Sequence, residues 1–189
     1  GTGNMAGAIM GGIISQGIFK PEEIIGADLS EAGRQKVKET YGICVTEDNK
    51  KVVEEAEIVI LSVKPQFYPD VIAEIKDLVK EDQLLITIAP GKTLEWLKEQ
   101  FGRDLKIVRT MPNTPAMVGE GMTAACPNAQ VTKEDLDCAL SILSAFGKVE
   151  VVPERLMDVV VSVSGSSPAY VFMFIEAMAD AAVADGMPR

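Results

Sequence analysis

Ile58-Val59-Ile60-Leu61 is a run of branched aliphatic side chains with no polar member. A strand that is apolar on both faces must be covered on both, which is the condition of a parallel sheet layered between helices. Short β-rich runs of this kind are predicted at 24–28, 43–45, 58–63, 84–89, 106–110, 123–125 and 148–151. Helical periodicity fills the gaps, at 4–16, Glu31–Tyr41, Asn49–Glu55, 68–80, Leu94–Phe101 and 133–146. Regular alternation of the two patterns is the signature of βαβ units and a parallel sheet. Gly42, Gly102 and Gly147 follow three of the predicted helices, where left-handed capping residues belong.

After Pro153 the pattern is helical only, with one helix at 154–163, a break at Gly165-Ser166-Ser167 and a second helix at 168–185. Ser167 and Pro168 suit the N-cap and first turn of that last helix. Its charges are Glu176, Asp180 and Asp185, so its nearly continuous apolar surface needs other helices to cover it. Internal carboxylates make it a poor membrane span. The expected division is a doubly wound α/β dinucleotide-binding domain over 1–152 and the beginning of an all-α dimerisation domain over 153–189. A length of 189 residues suits one full domain and part of another. The start at Gly1-Thr2-Gly3, with no methionine or strand before it, creates the expectation that upstream residues and the sheet's first strand are missing.

Charge and composition narrow the partners. A formal charge of −10 disfavours nucleic acid and anionic membranes, which call for clustered Lys and Arg, and leaves a small molecule. Cys44, Cys126 and Cys138 are widely spaced and form neither a disulfide framework nor a zinc site, so no metal is expected and a reducing cytoplasm suits them. The absence of histidine removes the commonest general base and every Ser-His or Cys-His nucleophile.

Gly1-Thr2-Gly3-Asn4-Met5-Ala6 fits the G-x-G-x-x-A fingerprint: a tight turn at Gly1, close backbone approach to a pyrophosphate at Gly3, and close helix–sheet packing at Ala6. The helix N-terminus would then face the anion. Asp28 ends the next strand, where a carboxylate can accept from the adenosine ribose hydroxyls; it could equally serve as a local cap near Ser30. Val63-Lys64-Pro65, Ala89-Pro90-Gly91 and Met111-Pro112-Asn113-Thr114-Pro115 end three successive strands in stiff proline loops at the carboxyl edge, where ligands bind in such sheets. Lys64 taken by itself is equally a solvated strand-end lysine.

These residues resemble the pyrroline-5-carboxylate reductase family. The resemblance runs the length of the chain through Gly1-x-Gly3-Asn4-Met5-Ala6, Val63-Lys64-Pro65-Gln66, Ile88-Ala89-x-Gly91, Arg109-x-Met111-Pro112-Asn113-Thr114-Pro115, Asp158 and Gly165-Ser166-Ser167-Pro168-Ala169-Tyr170. It implies hydride transfer from NADPH or NADH to the C=N carbon of a cyclic imine, giving L-proline, without a metal. Gly1, Gly3, Asn4 and Met5 would hold the pyrophosphate, with Asn49 and Asp28 near the adenosine half. Val63, Lys64 and Pro65 would line the nicotinamide side, and Ala89 and Pro90 would complete the cleft. Glu154 would face the substrate ring nitrogen, with Asn113 also on the substrate side; without the resemblance Glu154 reads as a helix-start carboxylate after Pro153. The resemblance puts the catalytic acid and the substrate-carboxylate site beyond Arg189, and it implies a homodimer or larger homo-oligomer built through the helical domain.

Pro90 stands where the family usually has Ala, Ser167 where it has Gly, and Asp28 where a small polar residue is common. A carboxylate at Asp28 repels a 2′-phosphate and favours NADH, although Arg34 could offset this by reaching the phosphate. Two other readings remain open: a different imine or keto-acid reductase on the same scaffold, and a non-catalytic cofactor-binding interaction protein.

Overall fold

The computed structural model describes residues 1–189. Seven strands form: β1 (Ile25–Ala27), β2 (Cys44–Thr46), β3 (Ile58–Leu61), β4 (Leu84–Thr87), β5 (Lys106–Met111), β6 (Gly121–Pro127) and β7 (Gly147–Val151). They make two sheets, a parallel β1–β2 pair and a five-stranded sheet in the order β3-β4-β5-β6-β7. The helices α1 (Asn4–Ser15), α2 (Glu31–Tyr41), α3 (Asn49–Glu55), α4 (Tyr68–Ile75), α5 (Leu94–Phe101) and α6 (Lys133–Ser144) connect the strands.

Strand alternation sorts side chains onto two faces, as a period of two requires. Leu85 and Ile107 point with Val59 and Leu61 into a core closed by Ile72 and Ile75 of α4 and Leu97 and Phe101 of α5. Their neighbours Leu84, Ile86 and Val108 point the other way, against Ile9 and Ile13 of α1 and Ile142 and Leu143 of α6. The doubly wound arrangement follows from this two-sided cover. At the lower edge the buried Gln83 amide donates to the carbonyls of Val53 and Ala56 and accepts from the Lys80 N–H, so a polar side chain in the core is satisfied at both ends.

Four local expectations are corrected. First, the sheet is not wholly parallel, because β6 runs antiparallel to β5. Residues 112–120 between them contain only a 3₁₀ segment, Thr114–Val118, and a parallel return needs a longer crossover. Second, Gly147 is not a helix cap: α6 closes at Ala145 with right-handed geometry, and Gly147 opens β7, where a Cβ would overlap the backbone of Gly121. Gly42 and Gly102 do cap α2 and α5 in left-handed geometry. Third, α4 stops at Ile75, short of residue 80, and Arg103 donates to the freed carbonyls of Lys76 and Val79. Fourth, no break occurs at 165–167. A 3₁₀ turn (Glu154–Leu156), α7 (Met157–Val160), a π segment (Val161–Gly165) and α8 (Ser167–Ala184) run on as one helical stretch, Glu154–Ala184. Ser167 is therefore no N-cap; its hydroxyl donates back to the Val163 carbonyl within the helix.

The two sheets share no strand pairing. Between β1 and β3 lies an apolar slot of about 560 Å³, lined by Ile25, Ala27, Val59, Leu61, Ile9 and Ile13 among others. At the far end of the chain α8 buries no residue, and Phe172, Met173 and Phe174 are each more than 60% exposed. By length and hydropathy the stretch 154–184 could also cross a membrane.

Tyr68 is the first residue of α4 and is fully buried, and its hydroxyl donates to the Leu61 carbonyl at 2.5 Å. Removing the hydroxyl leaves that buried carbonyl without this donor, which typically costs about 1–3 kcal/mol. Tyr68→Phe is therefore expected to lower Tm by roughly 3–9 °C for a chain of this size; an unchanged Tm would show that the bond contributes nothing.

Candidate functional site

The glycine loop is built by crowding on one side and openness on the other. A Cβ on Gly1 would lie 2.8 Å from the Ser62 carbonyl oxygen, while the Ser62 hydroxyl donates to the Gly1 carbonyl at 2.7 Å. Thr2 is turned inward, and both its N–H and its hydroxyl donate to Asp28 Oδ2, at 2.8 and 3.1 Å. Gly3 is exposed, and a Cβ there would meet nothing within 4 Å. It occupies the N-cap of α1, with no side chain capping the helix and no acidic residue in the first turn. In contrast, Ser30, Asp48, Thr93 and Thr132 cap α2, α3, α5 and α6. The N–H groups at Asn4 and Met5 thus face open space at the positive end of a helix, and this loop fits a pyrophosphate.

On the adenosine side, Asp28 acts as the cap that its position allowed. Its Oδ1 accepts from the Ser30 N–H at 2.9 Å and its Oδ2 takes the two Thr2 donors. Burial pushes the carboxyl pKa up, but the N–H groups of Thr2 and Ser30 and the Thr2 hydroxyl outweigh it, so the group stays below the usual carboxylate range. Asp28 is therefore ionised at neutral pH. Arg34 lies close by but is engaged: its guanidinium donates to the carbonyls of Asp28 (2.7 Å) and Leu29 (3.1 Å) and pairs with Glu47 at 3.4 Å. Asn49, at the start of α3, donates to Glu74 of α4 at 2.9 Å and lines the slot.

On the nicotinamide side, Val63 packs partly on the core below β3, and Lys64 is exposed with extended backbone before Pro65. Ala89 is buried and Pro90 exposed, next to Gly91 in left-handed geometry. Tyr68 lies beneath both loops. Burial raises its pKa far above the ordinary phenol value, against the smaller lowering effect of the Ile88 and Ala89 N–H groups beside it. Neutral and bonded to Leu61, it joins the ends of β3 and β4.

The two residues expected on the substrate side are both fastened to other elements. Glu154 Oε1 accepts from the Leu94 N–H at 2.7 Å and from Arg109 at 2.8 Å, and Oε2 makes no bond within the chain. Asn113 accepts from the Met122 N–H at 2.9 Å and donates to the carbonyl and hydroxyl of Ser164, both at 3.3 Å. Arg109, with a side chain only 3% exposed, also lies 3.7 Å from the exposed Asp158. Cys126 faces Arg109 across β5–β6; burial and the Glu154 carboxylate raise its thiol pKa, so it stays protonated.

Thr2, Ser62, Tyr68 and Arg109 help to build the site, yet motif reading gave none of them a role: Thr2 and Arg109 stand inside quoted motifs, Ser62 and Tyr68 outside them. Arg109 carried a usable signal, a lone charge inside Ile107-Val108-Arg109-Thr110, where burial demands a partner. A cavity of about 880 Å³ forms a groove along α1 between α2 and residues 116–122, and Thr2, Gly3 and Asn4 of the glycine loop are part of its lining.

Comparison with known proteins agrees with this layout. Residues 1–91 match the family model described as NADP oxidoreductase coenzyme F420-dependent, and residues 154–189 match the one described as pyrroline-5-carboxylate reductase dimerisation. Pyrroline-5-carboxylate reductase of Escherichia coli is 47% identical over 189 residues, covering all of this chain and 70% of the relative. Among solved structures, that of a pyrroline-5-carboxylate reductase from Coxiella burnetii matches with a TM-score of 0.91 at 36% identity, over the whole of this chain and 70% of that one. The Plasmodium falciparum pyrroline carboxylate reductase, solved with NADP bound, matches with a TM-score of 0.90 at 32% identity, over the whole of this chain and 69% of that one. With an uncapped glycine loop, two rigid strand-end loops beside it and relatives of this closeness along its whole length, the chain belongs to the pyrroline-5-carboxylate reductase family.

Proposed function

We propose that this protein reduces 1-pyrroline-5-carboxylate to L-proline with NADH or NADPH. The observation that carries the reading is convergence at one sheet edge. The open N-terminus of α1 and the Val63-Lys64-Pro65 and Ala89-Pro90 loops lie at the carboxyl ends of β3 and β4, and Glu154 is bonded there to the start of α5 and to Arg109 of β5. A nicotinamide bound at this edge would supply a hydride to the imine carbon, the C=N electron pair passing to the ring nitrogen of the protonated imine, a transfer that needs no metal. Gly1, Gly3, Asn4 and Met5 hold the pyrophosphate, and Asp28 with Asn49 borders the adenosine half. Val63, Lys64, Pro65, Ala89 and Pro90 shape the nicotinamide side. Glu154 Oε2 and Asn113 face the imine, each held by its other bonds. No side chain within 1–189 is assigned as proton donor.

The domain division at 152/153 is part of the same reading. The complete polypeptide is expected to oxidise NADH or NADPH only when pyrroline-5-carboxylate is supplied. Turnover of short keto acids instead, or cofactor binding with no turnover of either, would favour the two other readings.

Asp28 sets the cofactor preference. Its carboxylate is ionised and Arg34 is occupied, so a 2′-phosphate meets uncompensated negative charge. The native protein is expected to prefer NADH, or at least to show no strong preference for NADPH. Asp28→Asn should raise the ratio of kcat/KM for NADPH over NADH about tenfold. A large NADPH preference in the unsubstituted protein would overturn this assignment.

The exposed apolar face of α8 is covered by a second copy of the chain, and the protein is cytoplasmic, consistent with three free cysteines. Light scattering of the complete protein should give a dimer or larger species, shifted toward monomer by Phe172→Glu with Phe174→Glu; a monomeric native mass would refute this.

A further inference from the structure

Arg109 stands on the middle strand of the five-stranded sheet, yet its charge is spent on the first turn of the helical stretch. Its NH1 and the Leu94 N–H converge on a single oxygen, Glu154 Oε1, at 2.8 and 2.7 Å. Leu94 is the first residue of α5, directly after the Ala89-Pro90-Gly91 loop and the Thr93 cap. One carboxylate thereby ties three elements together: β5, the start of α5 below the nicotinamide loop, and the segment that begins the helical stretch. The Glu154 side chain is 34% exposed, and both of its bonds end on Oε1, which leaves Oε2 without a partner in the chain.

We infer that Arg109 is a positioning residue, which clamps Glu154 through Oε1 so that Oε2 is presented to the imine at a fixed place relative to the Ala89-Pro90 loop. This rests on the reading of Glu154 as the carboxylate that faces the substrate ring nitrogen. Geometry favours a positioning role over a merely stabilising one. A bond made only to anchor the chain could have used the longer, solvent-facing contact to Asp158 at 3.7 Å, whereas the short bond is spent on the half-buried carboxylate next to the cofactor loop. Two donors on one oxygen also fix the rotamer, leaving the second oxygen no freedom to swing. Asp158, 90% exposed, adds charge without adding direction.

The test uses the complete protein and compares Arg109→Lys, Glu154→Gln and the double variant, with Tm followed in parallel. Loss of a directed bond to a charged group is worth about tenfold, so each single variant should raise KM for pyrroline-5-carboxylate by about that factor. KM for the nicotinamide cofactor should stay within about twofold, and the double variant should be no worse than the poorer single one, because both changes break one unit. A folded Arg109→Lys protein with native KM for the imine, or effects that multiply in the double variant, would overturn the inference while leaving Glu154 in its substrate role. A change in Tm alone, or an equal rise in both KM values, would reduce Arg109 to a structural residue and overturn it as well. If Arg109→Lys does not fold, Leu94→Pro decides, with Tm followed alongside: proline is tolerated at the first helical position and removes the second donor to Oε1, together with the Leu94 side-chain packing on the neighbouring cores. It should raise the imine KM without moving that of the cofactor, and an unchanged imine KM sinks the clamp. If Glu154→Gln leaves the imine KM native, or the unsubstituted enzyme does not turn over pyrroline-5-carboxylate, the underlying reading fails instead.

Discussion

Gly1 and Thr2 join two sheets that share no strand hydrogen bond. On one side Gly1 is bonded to Ser62 at the end of β3, and on the other Thr2 is bonded to Asp28 at the end of β1. The slot between those strands is lined mostly by apolar side chains, which give no direction. This short polar bridge, together with α3, which packs on both, therefore helps to set the relation of the two sheets. Side chains at Gly1 or Gly3 would act in opposite places, since the first faces the Ser62 carbonyl and the second faces open space. The same residues that open the helix to an anion thus hold the scaffold around it.

Much of the architecture was legible because it depends on local pattern. Ile58–Leu61 and Leu84–Thr87 could be read as strands from composition alone, and alternate residues along β4 do divide between the two cores. Non-local geometry was less accessible. The direction of β6 depends on whether residues 112–120 can make a crossover, and Pro112 with Pro115 gave stiffness without giving direction. Gly147 looked like a cap because it follows a helix; its actual constraint is contact with Gly121, distant in sequence.

The site shows the same division. The glycine loop, Asp28 and the proline loops were visible because their residue types carry the chemistry directly. Tyr68 and Ser62 were not, because each acts by bonding a backbone carbonyl, a role many residue types could fill. Glu154 was seen, but its partners were not: a carboxylate after Pro153 suggests a helix start, and the start it serves is that of α5, sixty residues earlier. At Asp28 the local capping role leaves room for a further donor, since a carboxylate has about four acceptor positions and the chain occupies three of them.

The expected break at Gly165-Ser166-Ser167 failed for a reason that bears on assembly. Glycine and two serines argue against an α-helix, and the chain meets that difficulty by widening to a π turn instead of stopping. In the π segment the Ser164 carbonyl and hydroxyl face Asn113, and Gly165 lies against Met111, where a Cβ would come within 2.7 Å of the Met111 side chain. The helical stretch is thus held to the sheet domain twice, through Glu154 and through Ser164, before α8 departs with none of its residues buried. A break at that point would have left α8 to hinge freely. A continuous helix, fixed at both polar contacts, instead carries the geometry of the sheet's carboxyl edge outward to the exposed apolar surface of α8.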